Sequence, residues 1–164
     1  WLKRRTPQNI VIGGAAGAIP PIIGWTSVTP EISLLPLSMF VIIFFWTPPH
    51  FWALSVYRFN DYAKAKVPML PNVSSIDETK KQIIYYSVIL IASSYLPYID
   101  RGVGLIYFVI ATILNFFLLN NAIKLKKSKE KKSIPNTEGL KFFALTIFYL
   151  FSLFAGLIID HVIM

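Results

Sequence analysis

Five long apolar stretches, separated by polar segments that gather nearly every charge, dominate this sequence of 164 residues. A helix crosses the roughly 30 Å hydrocarbon layer of a membrane in about 20 mostly apolar residues, and irregular backbone is excluded there because its polar groups would go unpaired. The stretches run over about 9–25, 32–57, 82–99, 103–123 and 140–160. The predicted class is therefore all-α integral membrane with five transmembrane helices, and residues 1–164 read as a portion of one polytopic domain. Composition agrees, with 55% hydrophobic and only 15% charged residues. No stretch is amphipathic enough to suggest a helix lying on the membrane surface.

The first stretch is short and carries Gly13, Gly14, Gly17, Pro20 and Pro21. Gly13 and Gly17, among alanines, are expected to let another helix approach closely, as small residues do in membrane bundles. Charge then sets direction. Of the 16 basic residues, 15 precede the first span, lie between the second and third, or lie between the fourth and fifth, and only Arg101 falls on the other side. The positive-inside rule puts the N-terminus in the cytoplasm and the C-terminus outside. A net charge of +8 tied to loop parity is explained by topology and contact with anionic membrane lipid, so nucleic acid is not an expected partner. With no cysteine there is no disulfide, thiolate nucleophile or cysteine metal site to weigh. A chain that opens at Trp1 on a basic segment reads as entered in mid-protein, with an upstream portion expected.

Candidate chemistry gathers at the cytoplasmic face. His50 lies inside the second span, where an ionisable group marks a functional site by default. Pro48 and Pro49 remove two backbone donors, which predicts a kink or break just before the histidine. If the helix resumes beyond them, Tyr57 and Asp61 follow His50 by about two and three turns and share its face. The bland alternatives are a packed histidine, an interfacial tyrosine and a solvated loop aspartate.

Three runs sharpen this reading: KRRTPQNIVIGG at 3–14, WTPPHFWAL at 46–54 and DYAKAKVPMLP at 61–71. Together, in this order, they resemble the protohaem IX farnesyltransferase (haem O synthase) branch of the UbiA-type intramembrane prenyltransferases. The resemblance covers roughly residues 1–85 with specific motifs, and the later spans agree in number and spacing. It implies a nine-helix bundle of which these spans are helices five to nine, in a bacterial inner membrane rather than a mitochondrial one. Aspartate-rich motifs would hold Mg²⁺ and the diphosphate of a polyprenyl donor, the first motif lying upstream of Trp1.

Residue by residue, the resemblance implies that Lys3 and Arg4, supported by Asn9, bind diphosphate, and that Asp61 meets Mg²⁺ through it. His50 corresponds to a family histidine with haem contact or proton handling as its implied role; both stay open. Phe45, Trp46, Phe51 and Trp52 are candidates for the prenyl channel. Tyr57 stands where aromatic-acceptor relatives carry an acid, which favours the haem branch. Asn60 and Lys66 stand where haem-branch members often carry an acid and a glycine. The implied reaction moves a farnesyl group from farnesyl diphosphate to a vinyl group of haem B, giving haem O and diphosphate, with haem as substrate. Two alternatives stay open: prenylation of an aromatic quinone precursor, and a non-catalytic half complemented by separate N-terminal helices or another chain.

Overall fold

Helices fill all five apolar stretches. The computed structural model describes residues 4–99, 102–129 and 136–163, and among them all regular structure is helical. In chain order the helices are α1 (Asn9–Ala18), α2 (Pro20–Thr26), α3 (Leu34–Tyr57), α4 (Phe59–Lys64), α5 (Leu70–Val73), α6 (Ile76–Ser93), α7 (Leu96–Ile99), α8 (Leu105–Lys127) and α9 (Thr137–Ile163). Five segments are long and apolar enough to cross a membrane: Asn9–Thr26, Leu34–Tyr57, Ile76–Ile99, Leu105–Lys127 and Thr137–Ile163. The protein is thus a multi-pass helical membrane protein. Its spans extend past the apolar stretches wherever charged turns continue a helix into the polar boundary. At α6 the cause is a serine N-cap, in which Ser75 Oγ accepts from the Glu78 amide at 3.0 Å and starts the helix well before Gln82.

Helix α3 organises the bundle. It packs against α1, α6 and α9, while α8 closes a ring by packing on α6 and α9. Of the expected kink or break before His50, no break occurs: α3 is helical from end to end with Pro48 and Pro49 inside it. Helix-breaking prolines are tolerated in membrane spans where neighbouring groups and local adjustments take up the freed backbone. The first span is the interrupted one. Ile19 keeps helical angles, but Pro20 and Pro21 have no N–H to donate, so α1 gives way to α2 with proline at its first position.

Among the described residues, a Cβ at Gly13 or Gly17 would meet nothing within 4 Å, so no helix of this chain uses either glycine for close approach. Gly14 does serve this way, facing Thr47 Cγ2 at 3.1 Å. The closest approach belongs to Gly139 of α9, where a Cβ would sit 2.9 Å from the Ala53 carbonyl oxygen and 3.3 Å from the Tyr57 nitrogen of α3.

Two buried charges finish α8. Asp160, 1% exposed, accepts through Oδ2 from the Gly104 amide and through Oδ1 from the Tyr107 amide at 3.2 Å, capping the helix N-terminus from α9. Lys80, 2% exposed, donates from Nζ to the Ser128 carbonyl at 2.9 Å beyond the C-terminus. Each charge has the sign that the helix dipole favours at its end. Between them a polar chain crosses the core: Tyr149 Oη donates to Asn115 Oδ1 (2.8 Å), and Asn115 Nδ2 donates to Ser94 Oγ (2.9 Å). Gly139→Ala is expected to lower stability in detergent by about 1–3 kcal/mol, because backbone cannot yield to the new methyl. Gly13→Ala should be neutral or stabilising by up to about 1 kcal/mol. Thermal unfolding of the two variants checks the contrast.

Candidate functional site

A cavity of about 700 Å³ lies between α1 and α3. Its walls are mostly apolar because each helix turns a small or aromatic residue toward it: Gly13, Gly14 and Gly17 from α1, and Ile43, Trp46, Thr47 and Phe51 from α3. Asn9 at the start of α1, Tyr62 of α4 and Met69 before α5 border it as well. The space left by Gly13 and Gly17 is therefore cavity rather than helix contact. Of the four aromatic candidates, Trp46 and Phe51 line the cavity, whereas Phe45 and Trp52 pack on the far side against Tyr86 of α6, at centroid distances of 6.3 and 5.2 Å.

His50 lies outside this lining. Its ring, 5% exposed as a residue, is stacked between Trp46 and Phe143 at 4.2 and 4.3 Å and meets the edge of Phe51 at 5.0 Å. Nδ1 is 2.7 Å from Thr146 Oγ1, and that hydroxyl donates its one proton to the Phe143 carbonyl, also at 2.7 Å. The hydroxyl can then only accept from the ring, which puts the proton on Nδ1 and the lone pair on Nε2. Trp46 donates from Nε1 to the Thr146 carbonyl at 2.7 Å. Both α3 side chains are thus fastened to one residue of α9, and His50 holds the aromatic wall of the cavity from behind.

Tyr57 shares the α9-facing side of α3 with His50, as its contact with Gly139 requires. Asp61 does not continue that face. Arg58, at φ −94° and ψ 27°, ends α3, and Asp61 sits in the separate helix α4. It is exposed and paired with Arg58 Nη1 at 3.1 Å, while the Arg58 guanidinium lies 5.7 Å from the Tyr57 ring centroid. An exposed pair of this kind contributes little to stability and leaves the carboxylate free to exchange partners. Among the described residues no cluster of three metal-ligating side chains occurs.

Asn9 donates from Nδ2 to the Thr6 carbonyl at 2.6 Å, which steadies the turn leading into α1. Arg4 is exposed just before it, and Lys3 falls outside the described residues. The loop after α4 folds back over the cavity through a helix-ending motif. The Lys66 amide bonds the Ala63 carbonyl and the Val67 amide bonds the Tyr62 carbonyl, both at 3.1 Å, with Lys66 at φ 51°. This is the left-handed position that glycine favours. The turn aims Met69 back at the cavity. Asn72 Nδ2 ties the same loop to the Phe59 carbonyl at 3.4 Å.

Sequence reasoning missed Tyr62, which reads as one more interfacial aromatic, and Thr146, a lone hydroxyl in an apolar span. Polar side chains at that depth are the available signal. Lys66→Gly is expected to raise stability by up to about 1 kcal/mol by removing the left-handed penalty, seen as a higher thermal midpoint.

The chain matches the sequence pattern of the UbiA prenyltransferase family over residues 1–147. It is 48% identical over 163 residues to a "Protoheme IX farnesyltransferase" of Pelagibacter ubique, covering 99% of this chain and 54% of that one. A protein of the same name from Idiomarina loihiensis is 50% identical over 161 residues, covering 98% and 52%, and one from Alcanivorax borkumensis 47% over 161 residues, covering 98% and 52%. The chain spans about half the length of the curated relatives it matches. No solved structure matches it.

Proposed function

The chain belongs to the UbiA prenyltransferase family, and from that premise we propose that it forms part of an enzyme that farnesylates haem. In the reaction, the bond between the farnesyl carbon and the diphosphate oxygen breaks with its electron pair leaving on diphosphate. The vinyl π electrons of haem B form the new carbon–carbon bond. Water adds to the resulting cation and gives up a proton, leaving haem O.

The observation that carries this reading is the shape of the α1–α3 cavity. Its depth is apolar, at Gly17, Ile43 and Trp46, and its border includes Asn9 and Tyr62, close in sequence to Arg4 and Asp61. An amphipathic substrate with a long hydrocarbon tail and an anionic head suits that polarity. Arg4 and Asn9, with Lys3, are the proposed diphosphate partners, since preorganised cations and donors best stabilise charge on a departing group. Asp61 is the proposed Mg²⁺ contact, the ion being shared with diphosphate oxygens and water. One protein carboxylate is enough for such a site, and bound Mg²⁺ supplies charge neutralisation. Tyr57, at the end of α3 and four residues before Asp61, is proposed to act near that head region.

His50 is proposed first as a positioning residue that fixes Trp46 and Phe51. Its Nε2 lone pair is suited to haem iron or to the proton released from water. Names of the relatives favour haem over a quinone precursor as acceptor. Because those relatives are about twice as long as the matched region, we propose that further helices complete the active site. We also propose a bacterial inner-membrane location with the Lys-rich segment after α8 in the cytoplasm.

Membranes bearing the 164-residue chain, alone and joined to the N-terminal half of a relative, are to be given haem B, farnesyl diphosphate and Mg²⁺, with haem O followed by mass spectrometry. Product is expected from the joined protein, and Asp61→Asn should reduce it on the order of a hundredfold or more. Absence of haem O from the joined protein would overturn the haem assignment. Since the chain has no cysteine, a single Lys129→Cys or Gly102→Cys reports orientation by labelling. Only Lys129→Cys should react with an impermeant reagent added from the cytoplasmic side.

A further inference from the structure

The outward face of α8 changes character along its length. Ile113, Phe116 and Phe117 are 53%, 66% and 52% exposed, as expected of side chains that meet lipid tails. Lys124 follows Phe117 by seven residues and Lys127 follows Phe116 by eleven, spacings of about two and three turns that keep both lysines on this face. Asn120 lies between them in register, one turn deeper than Lys124. Leu105 begins the helix, and Lys124 lies about 28 Å further along it, which is close to the thickness of the hydrocarbon layer.

Three other lysines near this end are already engaged, while Lys129 lies beyond the end of the helix. Lys126 pairs with Asp77 of α6, Lys80 donates to the Ser128 carbonyl, and Lys141 pairs with Glu138 at 2.6 Å. Lys124 and Lys127 are exposed, and neither takes an ion pair or a side-chain hydrogen bond among the described residues; nor does the Asn120 amide. Two unneutralised cations and a free amide therefore stand directly above a lipid-facing aromatic stripe. An amide on that face is costly in hydrocarbon unless it is bonded.

We propose that this end of α8 binds the headgroup of one anionic phospholipid. Lys124 and Lys127 take its phosphate, Asn120 meets the ester region beneath it, and the acyl chains lie along Phe116 and Phe117. The net charge selects the class, since a zwitterionic headgroup would bring its own ammonium against two lysines. A soluble diphosphate is the weaker fit, because no residue of α8 lines the α1–α3 cavity and the stripe below the lysines is apolar. Lysines that served only the helix dipole or the topology would show no lipid selectivity.

The test is native mass spectrometry of the full protein released from nanodiscs of phosphatidylcholine containing phosphatidylglycerol. One phosphatidylglycerol is expected to stay bound, and Lys124→Gln with Lys127→Gln should weaken its retention roughly thirtyfold. Lys124→Arg with Lys127→Arg should retain it, and Lys141→Gln, at the same membrane end, should leave it unchanged. Equal retention of phosphatidylglycerol by the double Gln variant would overturn the proposal. So would equal retention of phosphatidylcholine by the unaltered protein, or displacement of the lipid by inorganic diphosphate.

Discussion

In hydrocarbon a peptide group has no water to fall back on, so each N–H and C=O must find its partner inside the protein. Much of the polar architecture here answers that requirement. Helix α8 shows it most directly, with Asp160 and Lys80 satisfying its two ends from neighbouring helices. Those caps also fix which helices stand beside α8, because Asp160 belongs to α9 and Lys80 to α6. The polar chain through Tyr149, Asn115 and Ser94 repeats the lesson at mid-depth. Single interhelical bonds of this kind are worth about 0.6 kcal/mol on average, so their value lies as much in register as in stability.

Prolines are where the requirement is relaxed, and they flank the cavity. Pro20 and Pro21 interrupt the first span, and Pro48 and Pro49 lie within α3 beside Thr47 and Phe51, both of which line it. Behind that wall, Thr146 receives Nδ1 of His50 on its hydroxyl and Nε1 of Trp46 on its carbonyl. A single residue of α9 thereby orients two side chains of α3. The packed-histidine reading and the functional one are compatible, since an imidazole tied at Nδ1 still offers Nε2.

Much of this was legible from the sequence. Hydropathy located five spans because the cost of lipid-exposed polarity is large, and the motif at 46–54 pointed to the helix that organises the bundle. Boundaries were less legible, since Asp77–Lys81 continue a helix without being apolar and Ser75 starts it. The glycines were legible only in part: composition says that a helix has a small-residue stripe, not which of its residues meets a given neighbour. Gly14 faces α3 and Gly13 faces open space, one residue apart. Asp61 left the shared face because one residue, Arg58, takes a non-helical conformation that spacing alone does not reveal.

The bond from Trp46 to Thr146 joins residues 100 apart in the chain. During synthesis α3 is made long before α9, and at about 5–20 residues per second it waits roughly 5–20 s for that partner. For that interval its imidazole and indole have no threonine to bond, and a helix holding them in lipid is incompletely satisfied. Helices α1 and α6 are available sooner, but neither bonds His50 or Trp46 among the described residues. The wall of the cavity is therefore completed late, when the fifth span arrives. Biogenesis, as much as chemistry, depends on how α3 is protected until then.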